Sequence, residues 1–390
     1  MSLLKCYSVQ SEFPLNLCIC RNLFHRENHT LIDVLQEDPN IKRILIFIDS
    51  GLDKRFPKLQ KRIERFFSIH PDTFILAGIH VIQGGEEAKQ DLVAWQHTLS
   101  CIAEAKIDRH SYIMAIGGGA FLDVVGFAAA TAHRGIRLIR VPTTTLSQAD
   151  SGVGIKNGIN FMGQKNYLGT FAIPSLVILD FLFTHYQTNE NKLAGLVEAV
   201  KVALIKDAEF FEWFEENIYE LRDYDRDLVE EAIMRSAEAH VLHITEGGDP
   251  YELGSSRPLD FGHWSAHYLE TISNYTISHA EAVAIGICLD NRYAVRKGWI
   301  TAEEEERILR IFRFLRFPTY HPLLSTKDEN GDYEILKGLK KFQEHLGGEL
   351  TLLMLTGIGS SRNLRRIDTE VFATCIEDCK ARSKSSSVPE

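Results

Sequence analysis

The feature that most constrains this chain is the order of its apolar segments in the first half. "RILIFIDSGL" (43–52) is an apolar run of strand length closed by Asp-Ser-Gly. Behind it, "KRFPKLQKRIERFFSIH" is polar, with apolar residues at helical spacing. "TFILAGIHVIQGGEE" reads as another strand or pair of strands, and "DLVAWQHTLSCIAEAKI" as a helix. "SYIMAIGGG" is a strand running into a glycine turn, and "LIRVPTTTL" is a further short buried strand. Strands alternating with helices predict a parallel sheet covered by helices.

From about residue 186 the texture changes. "NKLAGLVEAVKVALI", "AEFFEWFEENIYELRDY", "RDLVEEAIMRSAEAHVLHI", "AVAIGICLDNRYAVRKG" and "TAEEEERILRIFRFL" all carry helical periodicity. A length of 390 residues favours two domains. The expected division is 1–185 for the α/β part and 186–380 for the helical part, with a disordered Ser-rich tail at 381–390.

A net charge of −10 argues against general nucleic-acid or membrane binding, and leaves room for a local basic pocket. The seven cysteines are scattered without CxxC pairs, which suits reduced thiols in a cytoplasmic protein. Alternation puts Cys18 and Cys20 on one strand face, as small buried hydrophobes. There is no signal-peptide core at the start and no run long enough to span a bilayer.

Gly117 to Gly119 stand where a strand hands over to a helix beginning near Leu122. Backbone N–H groups there can approach a phosphate, aided by the helix dipole; a plain tight turn is the alternative. Asp49 closes the first strong strand and suits either a ribose contact or turn initiation. Glu86 and Lys89 have the spacing of a solvated helical pair. "VPTTTLSQADSGVGIKNGINFMGQKN" (141–166) reads as a loop too polar to be there for structure alone, so function is its better explanation.

In the helical half, Glu198 and Lys201 lie one turn apart, His263 and His267 are four apart, and His279 precedes another helix. One carboxylate and two imidazoles can hold a catalytic divalent ion. With 15 histidines, structural histidines at chance spacing are the competing reading.

Five motifs in this order resemble the sugar phosphate cyclases, the superfamily of 3-dehydroquinate synthase, over residues 40–365. They are "IGGGAFLDVVGFAAATAHRGI", "VPTTTLSQADSGVGIKNGIN" with "GQKN", "AGLVEAVK", "FGHWSAH" and "HAEAVAIG". The resemblance implies an α/β N-terminal Rossmann-like dinucleotide-binding domain and a mostly α-helical C-terminal metal-binding domain, with the active site in the cleft between them. It implies bound NAD+, Zn2+ or Co2+, a small phosphorylated sugar as substrate, and a homodimer. Carried over by position, Glu198, His263 and His279 match the metal ligands, and His267 becomes a polar group facing substrate. Asp150, Lys156, Lys165, Asn166 and Lys201 match substrate-binding or catalytic positions, and Arg134 a phosphate-binding arginine. Asp49, Glu86, Lys89, Gly118, Gly119, Asp123, Thr143 and Thr144 match cofactor positions.

The chain departs from the synthase pattern at four places. The synthase has Arg seven residues, and Asn three residues, before the first metal histidine; here these are Ser256 and Asp260, with Arg257 one residue out of register. The loop "HITEGGDPYELGSSRP" is longer, and the synthase's lysine before it aligns best with Glu238. "KFQEHLGGELT" stands where the synthase has a Lys-Lys pair. Together they take away cations suited to a substrate carboxylate, and Asp260 puts a carboxylate that would repel it where the synthase has an amide. They resemble instead the cyclases of sedoheptulose 7-phosphate, the epi-valiolone synthases, with Asp260 accepting from a neutral hydroxyl. Other readings are a true 3-dehydroquinate synthase, a polyol dehydrogenase of the glycerol dehydrogenase type, and an inactive binding protein.

Overall fold

The structure is a computed structural model describing residues 12–36, 40–90, 92–251 and 258–385. The chain divides into two compact units. The first comprises residues 1–143 and 152–186, and the second comprises residues 144–151 and 187–390. The single crossing expected near 185 is therefore preceded by an eight-residue excursion.

In the first unit the strands are β1 (Leu17–Cys20), β2 (Lys42–Asp49), β3 (Phe74–Ile82), β4 (Tyr112–Gly117), β5 (Arg137–Pro142), β6 (Lys156–Phe161), β7 (Gln164–Phe171) and β8 (Leu176–Asp180). Six pair in parallel in the order β1-β8-β5-β4-β2-β3, while β6 and β7 form a separate antiparallel hairpin. The helices are α1 (Thr30–Leu35), α2 (Ser50–Arg55), α3 (Leu59–Ser68), α4 (Val93–Glu104) and α5 (Gly119–Thr131).

The parallel sheet explains the continuous apolar runs. Ile44, Ile46 and Ile48 of β2 pack with Leu59, Ile63 and Phe66 of α3. Leu45 and Phe47 face the other way, onto Cys101 and Ile102 of α4 and Leu122 and Val125 of α5. Both faces are covered, so both sets of alternate residues are apolar.

Residues 74–82 form a single strand, the first of the two expected arrangements. Several other local expectations are corrected. Helix α5 begins at Gly119, because Gly118 serves as its N-cap in an extended conformation. The polar stretch 141–166 is not a loop. It comprises the end of β5, a π-helical turn at Ser147–Ser151 and most of a hairpin. Met162 and Gly163 at the hairpin turn both take positive φ, 49° and 72°, the sense that matches strand twist. Cys18 and Cys20 share a face but are half-buried rather than buried, and burial pushes the Cys20 thiol up to about 12. Each of the six described cysteines is a free thiol.

The second unit contains α6 (Asn189–Lys206), α7 (Ala208–Glu216), α8 (Ile218–Arg222), α9 (Arg226–Glu246), α10 (His263–Ile272), α11 (His279–Arg296), α12 (Ala302–Phe314), α13 (Lys337–His345) and α14 (Thr369–Ser385). A small ribbon of β9 (Leu352–Gly357) and β10 (Ser360–Leu364) accompanies them. Helix α14 runs to Ser385, so 381–385 are helical and only 386–390 of the expected tail lie outside the described residues. No described helix is long and apolar enough to cross a membrane.

Candidate functional site

In the first unit, β3 lies on one side of β2 and β4 on the other, so the winding reverses between β2 and β4. Such a reversal opens a crevice at the carboxyl ends of the two strands, where α/β sheets take their ligands. Ile48 pairs with Ile116, which sets Asp49 and Gly117 side by side at those ends. Asp49 caps α2, its Oδ1 accepting from the Gly51 N–H at 2.7 Å, so turn initiation is part of its role. The buried Thr143 donates its N–H to the Gly117 carbonyl at 3.0 Å, and Gly118 and Gly119 stay partly accessible at the start of α5.

Lys89 is not the solvated partner of Glu86. Glu86 is exposed, whereas Lys89 is buried and donates to Asp123 Oδ2 at 2.6 Å and to Asn166 Oδ1 at 2.8 Å. Arg134 is exposed with φ 62°, Lys156 is exposed at the first position of β6, and Lys165 is half-buried.

In the second unit, α6 turns Glu198 and Lys201 to one side, both buried, and the Lys201 ammonium contacts Glu198 Oε2. The approach of α10 to α11 fixes the histidines. A Cβ on Gly286 would lie 2.1 Å from the Gly262 carbonyl oxygen, and Gly262 itself has φ 77°. Two glycines therefore permit this crossing. Ser278 and Glu281 form a capping box that makes His279 the first residue of α11.

The outcome is a cluster. His263 Nε2 lies 3.8 Å, and His279 Nε2 3.7 Å, from Glu198 Oε1. Four-coordinate bonds of about 2.0–2.1 Å would put ligand atoms roughly 3.4 Å apart, so the three donors suit a divalent ion after a small contraction. The outer nitrogens fit too. His263 Nδ1 meets the Phe261 carbonyl at 3.0 Å, and His279 Nδ1 lies 3.3 Å from Glu270 Oε2. Such partners leave Nε2 of each ring turned inward as a lone pair. Burial, helped by Lys201, lowers the pKa of His263 and favours the neutral form that a metal requires. His267, Glu270 and His279 also approach one another, but Glu270 is engaged with the outward nitrogen of His279. The His267 ring stacks near that of His279, with centroids 5.9 Å apart.

Burial alone would depress the Lys201 pKa, yet Glu198 and Asp150 outweigh it and raise it, with Asp260 adding to the effect. Asp150 is the converse. Burial favours its neutral form, but Lys201 and His240 hold its carboxyl far below the usual range.

Glu238 is exposed and takes no place in this cluster. The α9 residue that does is His240, whose Nδ1 lies 2.8 Å from Asp150 Oδ1. Neither His240 nor Glu270 was singled out by sequence. Arg257 and Ser256 lie outside the described residues, and Thr144 belongs to the second unit although Thr143 belongs to the first.

Comparison with known proteins follows this geometry. Residues 79–193 match the 3-dehydroquinate synthase N-terminal family, and 195–342 match the 3-dehydroquinate synthase C-terminal family. The 3-dehydroquinate synthase of Pseudomonas fluorescens strain Pf-5 is 35% identical over 284 residues, covering 73% of this chain and 76% of that one. Among solved structures, a 2-epi-5-epi-valiolone synthase from Streptomyces hygroscopicus subsp. jinggangensis, with NAD+ and Zn2+ bound, superposes with a TM-score of 0.84 at 25% identity, covering 97% of this chain and 100% of that one. A 2-deoxy-scyllo-inosose synthase complexed with carbaglucose-6-phosphate, NAD+ and Co2+ superposes at 0.75 with 23% identity, covering 93% and 96%.

Proposed function

Because the chain belongs to the 3-dehydroquinate synthase family, we propose that it is a phosphate-eliminating carbon–oxygen lyase that closes a carbocycle from a sugar 7-phosphate, with sedoheptulose 7-phosphate as the substrate. The observation that carries the substrate assignment is Asp260. It belongs to the electrostatic neighbourhood of both Lys201 and His263, where a substrate carboxylate would be repelled. A neutral hydroxyl donating to Asp260 meets no such penalty. The likeness to the valiolone synthase supports the same choice.

When bound, NAD+ would supply uptake of a hydride and its later return, and a divalent ion would supply Lewis acidity at the hydroxyl being oxidised. The protein's own part is distributed among residues of distinct chemistry. Glu198, His263 and His279 would hold the metal. Lys201, kept charged by Glu198 and Asp150, is a fixed cation for oxygen atoms that gain negative charge. Asp150, Asp260 and His267 offer hydrogen bonds to ring hydroxyls, and the cations Arg134, Lys156 and Lys165, with Asn166, are suited to the phosphate. Asp49, Glu86, Lys89, Gly118, Gly119, Asp123, Thr143 and Thr144 keep their assignment to the cofactor.

The test is phosphate release from sedoheptulose 7-phosphate beside the seven-carbon acid phosphate of 3-dehydroquinate synthase, with NAD+ and Zn2+ or Co2+. Turnover of the first without net NADH supports the proposal, and NMR of the product identifies the cyclitol. Turnover of the acid alone supports the second reading, 3-dehydroquinate synthase, which the names of the curated relatives favour. Net NADH would instead point to a polyol dehydrogenase.

A further inference from the structure

Arg140 lies on β5 with no exposed surface, a cation placed wholly inside the first unit. Its two terminal nitrogens reach backbone that is otherwise committed to a tight turn. One donates to the Gly154 carbonyl at 2.9 Å; the other donates to the Lys156 carbonyl at 2.7 Å and to Asn157 Oδ1 at 2.6 Å. Asp123 Oδ1 stands 4.0 Å from the second nitrogen. The other oxygen of the same carboxylate accepts from Lys89, which also holds Asn166.

The β6–β7 hairpin is thus fastened at two places, near Lys156 by Arg140 and at Asn166 by Lys89. Both fastenings meet at one residue of α5. The contact between α5 and β6 is close as well, since a Cβ on Gly126 would fall 1.8 Å from Asn157 Oδ1. Burying an arginine is costly unless its donors are satisfied and its charge is balanced. Here the return on that cost is a fixed backbone beneath Lys156. A guanidinium is suited to the task because its planar fork spreads donors over several acceptors at once.

We propose that Arg140 is a positioning residue that fixes the hairpin bearing Lys156, Lys165 and Asn166, and through Asp123 couples it to the start of α5. Its consequence for turnover rests on the phosphate role given to those hairpin residues, but the positioning itself does not.

Backbone hydrogen exchange separates the two. In R140Q, amides of residues 153–160 exchange about tenfold faster than in the wild type, while those of β2 and β4 keep their protection. R140K, which keeps the charge but concentrates its donors on one nitrogen, falls between. Exchange within about twofold of the wild type in both variants, or loss of protection spread through the whole parallel sheet, overturns the proposal. If R140Q does not fold, R140K decides by the same readout. Where the wild type turns over sedoheptulose 7-phosphate, R140K raises KM about tenfold with kcat little changed. A wild type inert on both sugar phosphates defeats the substrate reading alone, and the exchange data still decide the role of Arg140.

Discussion

His240 Nδ1 stands 2.8 Å from Asp150 Oδ1, joining the second half of α9 to the π-helical turn. The pair gives Asp150 a second neighbour that favours its charged form besides Lys201, and together they outweigh the burial that would protonate it. Replacing His240 with Ala leaves Asp150 half-satisfied, at a cost of about 1–2 kcal/mol in unfolding free energy. A depressed carboxyl contributes stability above its unfolded value and loses it as pH falls. Because the folded value lies far below the ordinary one, the wild-type excess over H240A is present at neutral pH, persists at pH 3.5 and is lost only as pH falls through the folded value. Urea unfolding at pH 7 and pH 3.5 should show the excess at both. Equal stabilities at pH 7 would remove the pair from the account of the site.

Glu270 stands beside the proposed metal set, its Oε2 3.3 Å from His279 Nδ1. E270Q is expected to weaken Zn2+ binding by roughly 10–100-fold while leaving one ion per chain, because outer partners orient ligands and raise their basicity. E198A should lose the ion altogether. Competition with a chromophoric chelator reads both, and an E270Q chain with wild-type affinity would show that His279 needs no such partner.

In the proposed reaction, Asp260 is expected to set a preference between anionic and neutral substrates. D260N removes one negative charge near Lys201 and His263, and should shift the ratio of the two phosphate-release rates toward the acid substrate by about tenfold, or 1.4 kcal/mol. An unchanged ratio would mean that residue 260 does not face the discriminating group.

Asp290 is buried on α11 and accepts from Trp264 Nε1 at 2.8 Å, and burial raises its pKa to about 8. The folded chain therefore holds a proton that the unfolded chain releases near pH 4. Stability from this group is complete below that pH and falls at up to about 1.4 kcal/mol per unit until pH 8. D290N retains an acceptor for Trp264 and does not titrate. The variant should gain on the wild type as pH rises from 4 to 8, which a series of urea titrations would reveal. Parallel profiles would show that Asp290 is ionised in the folded state.

The sequence made the alternation of sheet and helix visible because the strands of a two-faced parallel sheet are mostly apolar on both faces, with Arg140 an exception. Residue types raised a carboxylate and two imidazoles as one possibility, but only resemblance singled out Glu198, His263 and His279, since the close crossing permitted by Gly262 and Gly286 leaves no periodic trace. The hairpin was hidden because Asn157 and Asn160 occupy buried strand positions, and buried amides read as loop. Lys89 was read as solvated because spacing reports the face of a helix, not the depth at which that helix lies. His240 was one histidine among 15, and its partner is about 90 residues away in sequence.

The short segment 144–151 leaves the first unit and returns to it, so neither unit is a continuous stretch of chain. During synthesis, Asp150 emerges long before Lys201 and His240 exist to receive it. The π-helical turn must wait, unpartnered, until α6 and α9 have followed it out of the ribosome. For the same reason no single cut separates the two units into intact halves. A fragment beginning at residue 187 would carry Lys201 and His240 with the carboxylate they share left behind on the other piece.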